Sequence, residues 1–347
     1  MKKILALILA LCLVFALCAC GQSAAPAPAA PAADTPAADA PAADDAPAAV
    51  SANLTMGTGG EAGTYYAFGG VLGSYIGQNT DISVNVVSSG GSAANITGIV
   101  VDNIYDLATV QSDVMTYAYN GTNSFAEGGA LDGFRVLGGL YAETVQIVTC
   151  NPDIKSVADL AGRSICVGDV GSGTYFNTVD ILAAYGMTID DVDAKYQSFG
   201  DSAESLKDGK IDAAVITAGA PTNAVVDLAT SNSVYLVSID DEHMTKLLAD
   251  CPWYASYTIP AGTYQGFDED AVTVTVKATL VCRADLDDDV AYAIVSTIYN
   301  NAADITALHA KGAELSLDFA TDGIAVPFSA GAAKFYAENG ITVATAP

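Results

Sequence analysis

Hydrophobic residues in this chain fall into short runs that alternate with glycine-rich turns and with stretches of helical spacing. One sequence of elements occurs twice: a strand-like run, a glycine-rich turn and then a helical stretch that opens with a similar tetrapeptide, Gly-Thr-Tyr-Tyr or Gly-Thr-Tyr-Phe. The elements lie at residues 53–57, 59–63 and 64–76 in the first half, and at 163–168, 169–173 and 174–185 in the second. The repeated order of strand, turn and helix predicts two α/β lobes of similar build.

Each half continues in the same way, with another strand, a helix and a further strand. In the first half the pattern predicts a strand over 82–89, a helix opening at Gly91 and Ser92, and a strand over 104–110. In the second half, residues 196–199 lead to a capping box at 201–204, and a strand follows over 210–216. The second βα unit therefore strengthens the prediction of a repeat.

Two longer strand-like runs are predicted to connect the lobes, at 145–150 and 272–282, and helices are predicted at 289–301 and 330–338. The simplest architecture builds lobe one from residues 53–150 and 271–347, with lobe two, residues 151–270, inserted between the connectors. Such a two-lobed α/β protein has a cleft between its lobes that can close on a ligand.

The N-terminus has the pattern of an export signal. Lys2 and Lys3 precede a short apolar run at residues 4–19, which is shorter than the roughly 20 apolar residues of a bilayer span. The signal, residues 1–20, ends in Leu-Cys-Ala-Cys-Gly, which resembles a bacterial lipobox with Cys20 as the lipid-bearing residue. The Ala- and Pro-rich residues 21–52 are predicted to form a mobile tether. The protein is thus expected outside the cytoplasm, lipid-anchored to the outer face of the cytoplasmic membrane; an uncleaved membrane anchor is the alternative.

Charge excludes one class of partner. The chain has 13 basic and 40 acidic residues, and removal of Lys2 and Lys3 with the signal leaves a formal charge of −29. Such a surface repels phosphate backbones, so nucleic acid is excluded as a partner, and it also disfavours direct adhesion to anionic lipid. The cleft can differ in charge from the outer surface, so the acidity does not identify the ligand.

The cysteines do not indicate a metal site. Cys150, Cys166, Cys251 and Cys282 lack metal-ligand spacing. We interpret them as core residues, with two disulfides as the alternative.

The glycine-rich turns do not indicate a nucleotide cofactor either. Residues 57–62 nearly match the dinucleotide fingerprint, but the next strand ends in Ser88 and Ser89 without the required acidic residue. Residues 168–174 lack the lysine of a P-loop. We expect no cofactor and no metal.

Both turns instead place backbone N–H groups at a helix N-terminus, where carboxylate or phosphate is attracted. The hydroxyls of Thr64, Ser172 and Thr174 add donors. The alternative is that these glycines only form tight turns. Two facing turns of matching chemistry favour a ligand site.

Other candidate ligand-binding residues follow strands or line the expected cleft. Gln111 and Ser112 follow one strand, and Gly219 and Pro221 follow its counterpart. Glu143, on a connector, has a carboxylate suited to a ligand ammonium group, with a solvated or hinge-bonded role as the alternative. Aromatic walls are expected from Tyr65 and Tyr66, and Ser92 opens a helix at the same edge. His243 and His309 lack a nucleophile and acid motif, so we expect no enzyme, and we expect a monomer.

Several of these motifs, in this order, resemble the TAXI family of solute receptors. The motifs are Gly-Thr-Gly-Gly-x-x-Gly-Thr-Tyr-Tyr at 57–66, Ala-Thr-Val-Gln-Ser-Asp at 108–113, Ser-Val-Ala-Asp-Leu-Ala-Gly at 156–162, Val-Gly-x-x-Gly-Ser-Gly-Thr at 167–174 and Ile-Pro-Ala-Gly-Thr-Tyr-x-Gly at 259–266. That family is associated with TRAP transporters, the tripartite ATP-independent systems. The resemblance covers residues 53–340.

The resemblance implies a type II-like periplasmic-binding-protein fold that captures a small carboxylate, such as glutamate, glutamine or 2-oxoglutarate, for ion-driven membrane subunits. It places at the cleft Gly60, Thr64, Tyr65, Gln111, Ser172, Gly173 and Thr174. Ser329 stands where relatives often have histidine. The rival readings are the same fold serving an ABC importer, and an exported enzyme or sensor.

Overall fold

The described residues, 50–346 of the computed structural model, contain one continuous mixed sheet of ten strands. The predicted signal, most of the predicted tether and Cys20 lie outside the described residues. The strands are β1 Ser51–Gly57, β2 Asp81–Val87, β3 Leu107–Gln111, β4 Phe134–Thr149, β5 Ser164–Cys166, β6 Asp193–Lys195, β7 Ala213–Ala218, β8 Tyr235–Leu236, β9 Ala255–Ile259 and β10 Ala271–Arg283.

Helices cover the sheet and connect its strands. The α-helices are α1 Thr64–Asn79, α2 Ser92–Val100, α3 Ser112–Asn120, α4 Gly173–Ala184, α5 Phe199–Lys207, α6 Asn223–Ala229, α7 Asp241–Asp250, α8 Asp288–Asn300, α9 Ala302–Leu308, α10 Leu317–Thr321 and α11 Ala330–Glu338. Short 3₁₀ helices occur at Asn123–Phe125, Val157–Leu160, Ile189–Asp191 and Ala310–Glu314. Within the described range, no helix is long and apolar enough to span a membrane.

The sheet contains the predicted repeat. Its order is β2-β1-β3-β10-β4-β7-β5-β6, with β8 beside β4 and β9 beside β10. The triplets β2-β1-β3 and β6-β5-β7 are each parallel. The long strands β10 and β4 lie between the triplets and are antiparallel to each other, with β10 antiparallel to β3 and β4 antiparallel to β7. The first triplet adjoins β10 and the second adjoins β4, so two similar halves are joined through these two long strands. The predicted two-lobed α/β class is confirmed.

Two sets of hydrophobic residues form separate cores. The core of lobe one draws on residues 54–141 and 278–336, and the cores of lobe two draw on residues 145–276. The change from one core to the other occurs inside β4 and inside β10. The lobe boundaries predicted from the sequence lie at the ends of these strands, at residues 150 and 271. Both strands are long enough to cross from one core into the other, so they connect the two lobes.

Several local boundaries differ from the predicted ones, among them those of β1 and α5. Strand β1 begins at Ser51, inside the predicted tether, because residues 51 and 52 pair with β2. Helix α5 begins at Phe199, with the Ser198 hydroxyl accepting a hydrogen bond from the Asp201 N–H at 3.2 Å, so the cap lies three residues before the predicted capping box.

The four cysteines of the described residues are unpaired, with Cys166, Cys251 and Cys282 buried and Cys150 half-buried. Their interpretation as core residues is confirmed for the three buried thiols.

Ser329 caps a helix. Its Oγ accepts a hydrogen bond from the Ala332 N–H at 3.1 Å, and the residue is buried at the start of α11. The hydroxyl therefore satisfies a backbone donor at this position, and Ser329 does not line the cavity described below.

Candidate functional site

A cavity of about 50 Å³ lies between the lobes, where α1, α2 and α4 begin. This volume has room for about three to five water molecules, so the site is suited to a small molecule. Its lining residues are Gly59, Gly60, Gly63, Thr64, Tyr65, Ser89, Gly90, Gly91, Ser92, Gln111, Glu143, Asp169, Ser172, Gly173, Thr174, Ser198, Phe199, Thr217 and Ala218.

The N-termini of α1 and α4 face this cavity from opposite lobes. Their N-cap residues, Gly63 and Ser172, are extended, and no side chain of the described residues caps either helix. The first N–H groups of a helix have no intrahelical acceptor and carry the positive end of its dipole. The two predicted glycine turns thus present backbone donors to a single space.

Close packing explains why the lobe-two turn is glycine-rich. Gly168 has a φ of +100°, and a Cβ at this position would lie 2.6 Å from the Ser172 Oγ. At Gly173, a Cβ would lie 1.9 Å from the Gln111 Oε1 across the cleft. Glycine at 173 therefore permits the two lobes to come together at this point.

The Ser172 hydroxyl lacks a partner. Its Oγ is buried and makes no hydrogen bond to any described residue, and the side chain is at the cavity wall, with the residue 8% exposed. Buried polar atoms in folded proteins nearly always have a hydrogen-bond partner, and an exception needs an explanation. A solute in the cavity would provide the missing partner.

Glu143, on β4, is one of the two carboxylates of the cavity lining; the other is Asp169. Glu143 is buried, and its Oε2 accepts a hydrogen bond from the Tyr65 hydroxyl at 2.6 Å. Burial raises the pKa of Glu143 well above the ordinary value, and the Tyr65 hydrogen bond opposes that rise. The Nζ of nearby Lys311 pairs with Glu314 at 2.6 Å. An ammonium group in the cavity would favour the ionised form of Glu143.

Direct contacts hold the lobes together around the cavity. The Gln111 Nε2 donates to the Asn177 Oδ1 at 2.8 Å, and the Thr64 Oγ1 donates to the Gly219 carbonyl at 3.1 Å. The Gly171 carbonyl accepts from the N–H groups of Ala93 and Ala94, at 3.0 and 3.2 Å, at the start of α2. The structure is thus a closed conformation.

Most predicted site residues are brought together in the cavity lining: Gly60, Thr64, Tyr65, Ser92, Gln111, Glu143, Ser172, Gly173 and Thr174. The Ser92 Oγ accepts from the Gln111 N–H at 3.0 Å, so it also supports the strand end.

Four predicted residues do not line the cavity. Tyr66 is half-buried beside it, and the Ser112 Oγ accepts from the Lys277 N–H at 3.1 Å on the side of β10. Gly219 contributes only its carbonyl, to Thr64 and to Thr222, and Pro221 follows it after a cis peptide bond.

Several lining residues were not predicted, and the repeat could have revealed two of them, Ser198 and Phe199, as the counterparts of residues after β2. Ser89 to Gly91 follow β2, and Ser198 and Phe199 follow β6, the counterpart of β2. Asp169 and Thr217 were likewise not predicted. Among the described residues, no group of three or more His, Cys, Asp or Glu side chains can hold a metal ion.

The buried carboxyl groups of Asp113 and Glu143 should make the stability of the fold depend on pH. Burial raises the pKa of Asp113 to about 7 and raises that of Glu143 as well. When the pKa of a carboxyl group is higher in the folded state than in the unfolded state, its full contribution to the free energy of unfolding is present below the unfolded-state pKa. That contribution is lost as the pH rises through the folded-state pKa. We expect urea denaturation to show a fall of roughly 2 to 4 kcal/mol in the free energy of unfolding between about pH 4 and pH 8.

The variants Asp113→Asn and Glu143→Gln should each flatten this fall, because neither amide ionises. Asp102→Asn, at an exposed site, is the matched control and should leave it unchanged. A free energy of unfolding that rises over the same pH range would contradict the buried-carboxyl explanation.

Solved structures of similar fold are known. A protein from Bordetella bronchiseptica RB50 is 18% identical, with a TM-score of 0.50 over 82% of this chain and 88% of that chain. The periplasmic aliphatic sulphonate binding protein of Escherichia coli is 16% identical, with a TM-score of 0.43 over 83% and 90%. A ligand-binding core from Nostoc punctiforme in complex with L-glutamate is 14% identical, with a TM-score of 0.47 over 74% and 98%.

At this identity the likeness to the Bordetella bronchiseptica protein shows a shared fold and nothing more. Residues 56–340 match a known family over most of the chain, and the protein accordingly belongs to the NMT1-like family.

Proposed function

We propose that this protein is an extracytoplasmic solute-binding receptor that captures a small carboxylate between its lobes. The observation that carries the proposal is the pair of uncapped helix N-termini, one from each lobe, that meet at one cavity beside the unpartnered Ser172 hydroxyl. Backbone N–H groups and a hydroxyl are donors for a carboxylate. A solute held by both lobes favours the closed state because it gains contacts there that the open state lacks.

The charges of the cavity lining favour a solute that also carries an ammonium group. No lysine or arginine lines the cavity, whereas Glu143 and Asp169 do. An amino acid would place its carboxylate at the helix N-termini and its ammonium group at Glu143.

The delivery partner follows from the sequence motifs. The resemblance to TAXI receptors supports a receptor that works with the membrane subunits of a TRAP transporter, anchored to the membrane by a lipid on Cys20. In this role the protein is a monomer without catalytic activity. Neighbouring genes that encode a TRAP permease would support the assignment, and a neighbouring ATPase gene would favour an ABC importer.

A thermal-shift screen of the full chain tests the solute class. The panel contains amino acids, 2-oxo acids, dicarboxylates, two- and three-carbon carboxylates and sugars. A solute at 100 times its dissociation constant stabilises the folded state by about 2.7 kcal/mol, which is enough to move the melting temperature. We expect shifts for carboxylates and none for sugars. No shift with any carboxylate, in protein stripped of co-purified solute, would overturn the proposed class.

Ser172→Ala should weaken binding of the carboxylate that shifts most, by about 10- to 150-fold, because a hydrogen bond to a charged group is lost. Ser256→Ala, on the exposed part of β9, is the matched control and should bind like the wild type. Isothermal titration calorimetry measures both. Equal affinities in the two variants would show that the Ser172 hydroxyl does not contact the solute.

A further inference from the structure

A buried polar cluster lies behind the cavity, at the contact between the lobes. Asp113 is on α3 of lobe one, and Asn177 and Asp180 are on α4 of lobe two. The Asn177 Nδ2 donates to the Asp113 Oδ2 at 3.1 Å and to the Tyr254 hydroxyl at 2.8 Å, and that hydroxyl donates to the Asp180 Oδ2 at 3.0 Å. None of these four side chains lines the cavity.

Asn177 is the branch point that connects this cluster to the cavity. Its Oδ1 accepts from the Gln111 Nε2 at 2.8 Å and from the Thr217 Oγ1 at 2.9 Å, so both ends of the Asn177 amide are saturated. The residue is completely buried. Because Asn177 accepts from the Gln111 amide nitrogen, the Gln111 Oε1 is turned toward Gly173 and the cavity.

Asp113 has no cationic partner. It is 1% exposed, and no ion pair in the described part of the chain involves it. The titratable groups that face it from the surrounding elements are Asp180 on α4, Tyr117 on its own helix, Glu143 on β4, Cys251 after α7 and Tyr254 before β9. All of them are neutral or negative, so two carboxylates from opposite lobes approach each other when the cleft is closed.

We propose that Asp113 and Asn177 are positioning residues that set the Gln111 amide at the cavity, and that lobe closure couples to uptake of a proton by Asp113. The expected effect on solute affinity rests on the proposed receptor function. The expected coupling of lobe closure to protonation of Asp113 does not.

The direction of the pH effect follows from the environment of Asp113. Burial raises its pKa to about 7, and the negative charge of Asp180 adds to the rise, whereas the Val114 N–H and Asn177 lower it. In an open cleft water reaches the carboxyl and its pKa falls toward the ordinary value. Closure is therefore unaffected below the open-state pKa, weakens by up to about tenfold per pH unit above it, and levels off above about pH 7.

Two variants separate the two roles. Asp113→Asn keeps the shape and the hydrogen bond from Asn177 but cannot ionise. Asn177→Leu keeps the number and branching of the side-chain heavy atoms, although it is larger, but cannot hold Gln111. Calorimetry with L-glutamate between pH 5.5 and pH 8 is the main measurement, because the groups of L-glutamate itself do not titrate in this range. Comparison with Asp113→Asn at each pH cancels the contribution of Glu143, which titrates in the opposite sense when it meets an ammonium group.

We expect the dissociation constant of the wild type, divided by that of Asp113→Asn, to rise by about 10- to 30-fold between pH 5.5 and pH 8. Asn177→Leu should bind L-glutamate about 10- to 100-fold more weakly than the wild type at every pH, and its dissociation constant should depend on pH as that of the wild type does. A constant ratio for Asp113→Asn overturns the proton coupling. Wild-type affinity in Asn177→Leu, with the protein folded, overturns the positioning role.

A second measurement needs no solute. Trp253, the only tryptophan of the chain, lies in lobe two and packs edge-on against Tyr117 of α3, with ring centroids 5.4 Å apart. Trp253 is 37% exposed in the closed structure, and separation of the lobes removes the Tyr117 contact and exposes more of the indole, so the emission of the ligand-free full chain should shift to the red between pH 5.5 and pH 8. Asp113→Asn should show no shift.

The two measurements distinguish the failures. If L-glutamate does not bind at any pH, that solute fails, and the tryptophan emission alone decides the inference about lobe closure. If L-glutamate binds but neither the affinity ratio nor the emission depends on Asp113, the receptor function stands and the inference is overturned.

Discussion

Gly173→Ala is expected to weaken solute binding by about 100-fold while the ligand-free protein remains folded. In the closed structure an alanine Cβ would lie 1.9 Å from the Gln111 Oε1 and 2.3 Å from its Cδ, and Gln111 is buried and held by Asn177. Overpacking of this kind costs about 1 to 3 kcal/mol. The cost applies only to the closed state, because Gln111 and Gly173 belong to different lobes and separate when the cleft opens.

Calorimetry with the best carboxylate from the screen measures the loss, and the melting temperature without solute checks the fold. Gly70→Ala is the matched control, since a Cβ at Gly70, on the exposed side of α1, meets nothing within 4 Å. The control should bind normally and be slightly more stable, because alanine favours a helix over glycine. Normal binding by Gly173→Ala would mean that the solute-bound state is more open than this structure.

Glu143→Gln is expected to weaken binding of amino acids by about 30- to 5,000-fold and to leave binding of the corresponding 2-oxo acids within about threefold. Removal of one charge of a buried charged pair costs about 2 to 5 kcal/mol. A 2-oxo acid has no ammonium group, so it cannot lose this interaction. Glutamine retains an oxygen that can accept from the Tyr65 hydroxyl, which in the wild type donates to Glu143 at 2.6 Å.

The comparison of L-glutamate with 2-oxoglutarate, at one pH and on both proteins, gives the result directly. Glu269→Gln, at an exposed position outside the cavity, is the charge-matched control. An equal loss for both solutes would assign Glu143 to the shape of the cavity, and no loss for either would remove it from the binding site.

Part of the candidate site could be predicted because its chemistry is local. The turns before α1 and α4 can be recognised in the sequence, because glycines are followed there by hydroxyl residues at the start of a helix. The structure brings both turns to the cavity. The functional role of these residues stays a prediction. Ser112, in contrast, was predicted from its place after a strand, but its hydroxyl turns to the Lys277 N–H of β10. Side-chain direction at a strand end depends on the neighbouring strand, which the local pattern does not specify.

The sequence by itself determined the order of the elements, the repeat of two α/β units and the glycine turns before the helices, because hydrophobic period, glycine and capping residues act over a few neighbours. Only the tertiary structure decided that the lobe boundaries fall inside β4 and β10 and that Asn177 links Gln111 to Asp113. Asn177 is 64 positions from Asp113 and 66 positions from Gln111 along the chain. Burial and pairing across such distances are properties of the packed lobes, so no local pattern in the chain records them.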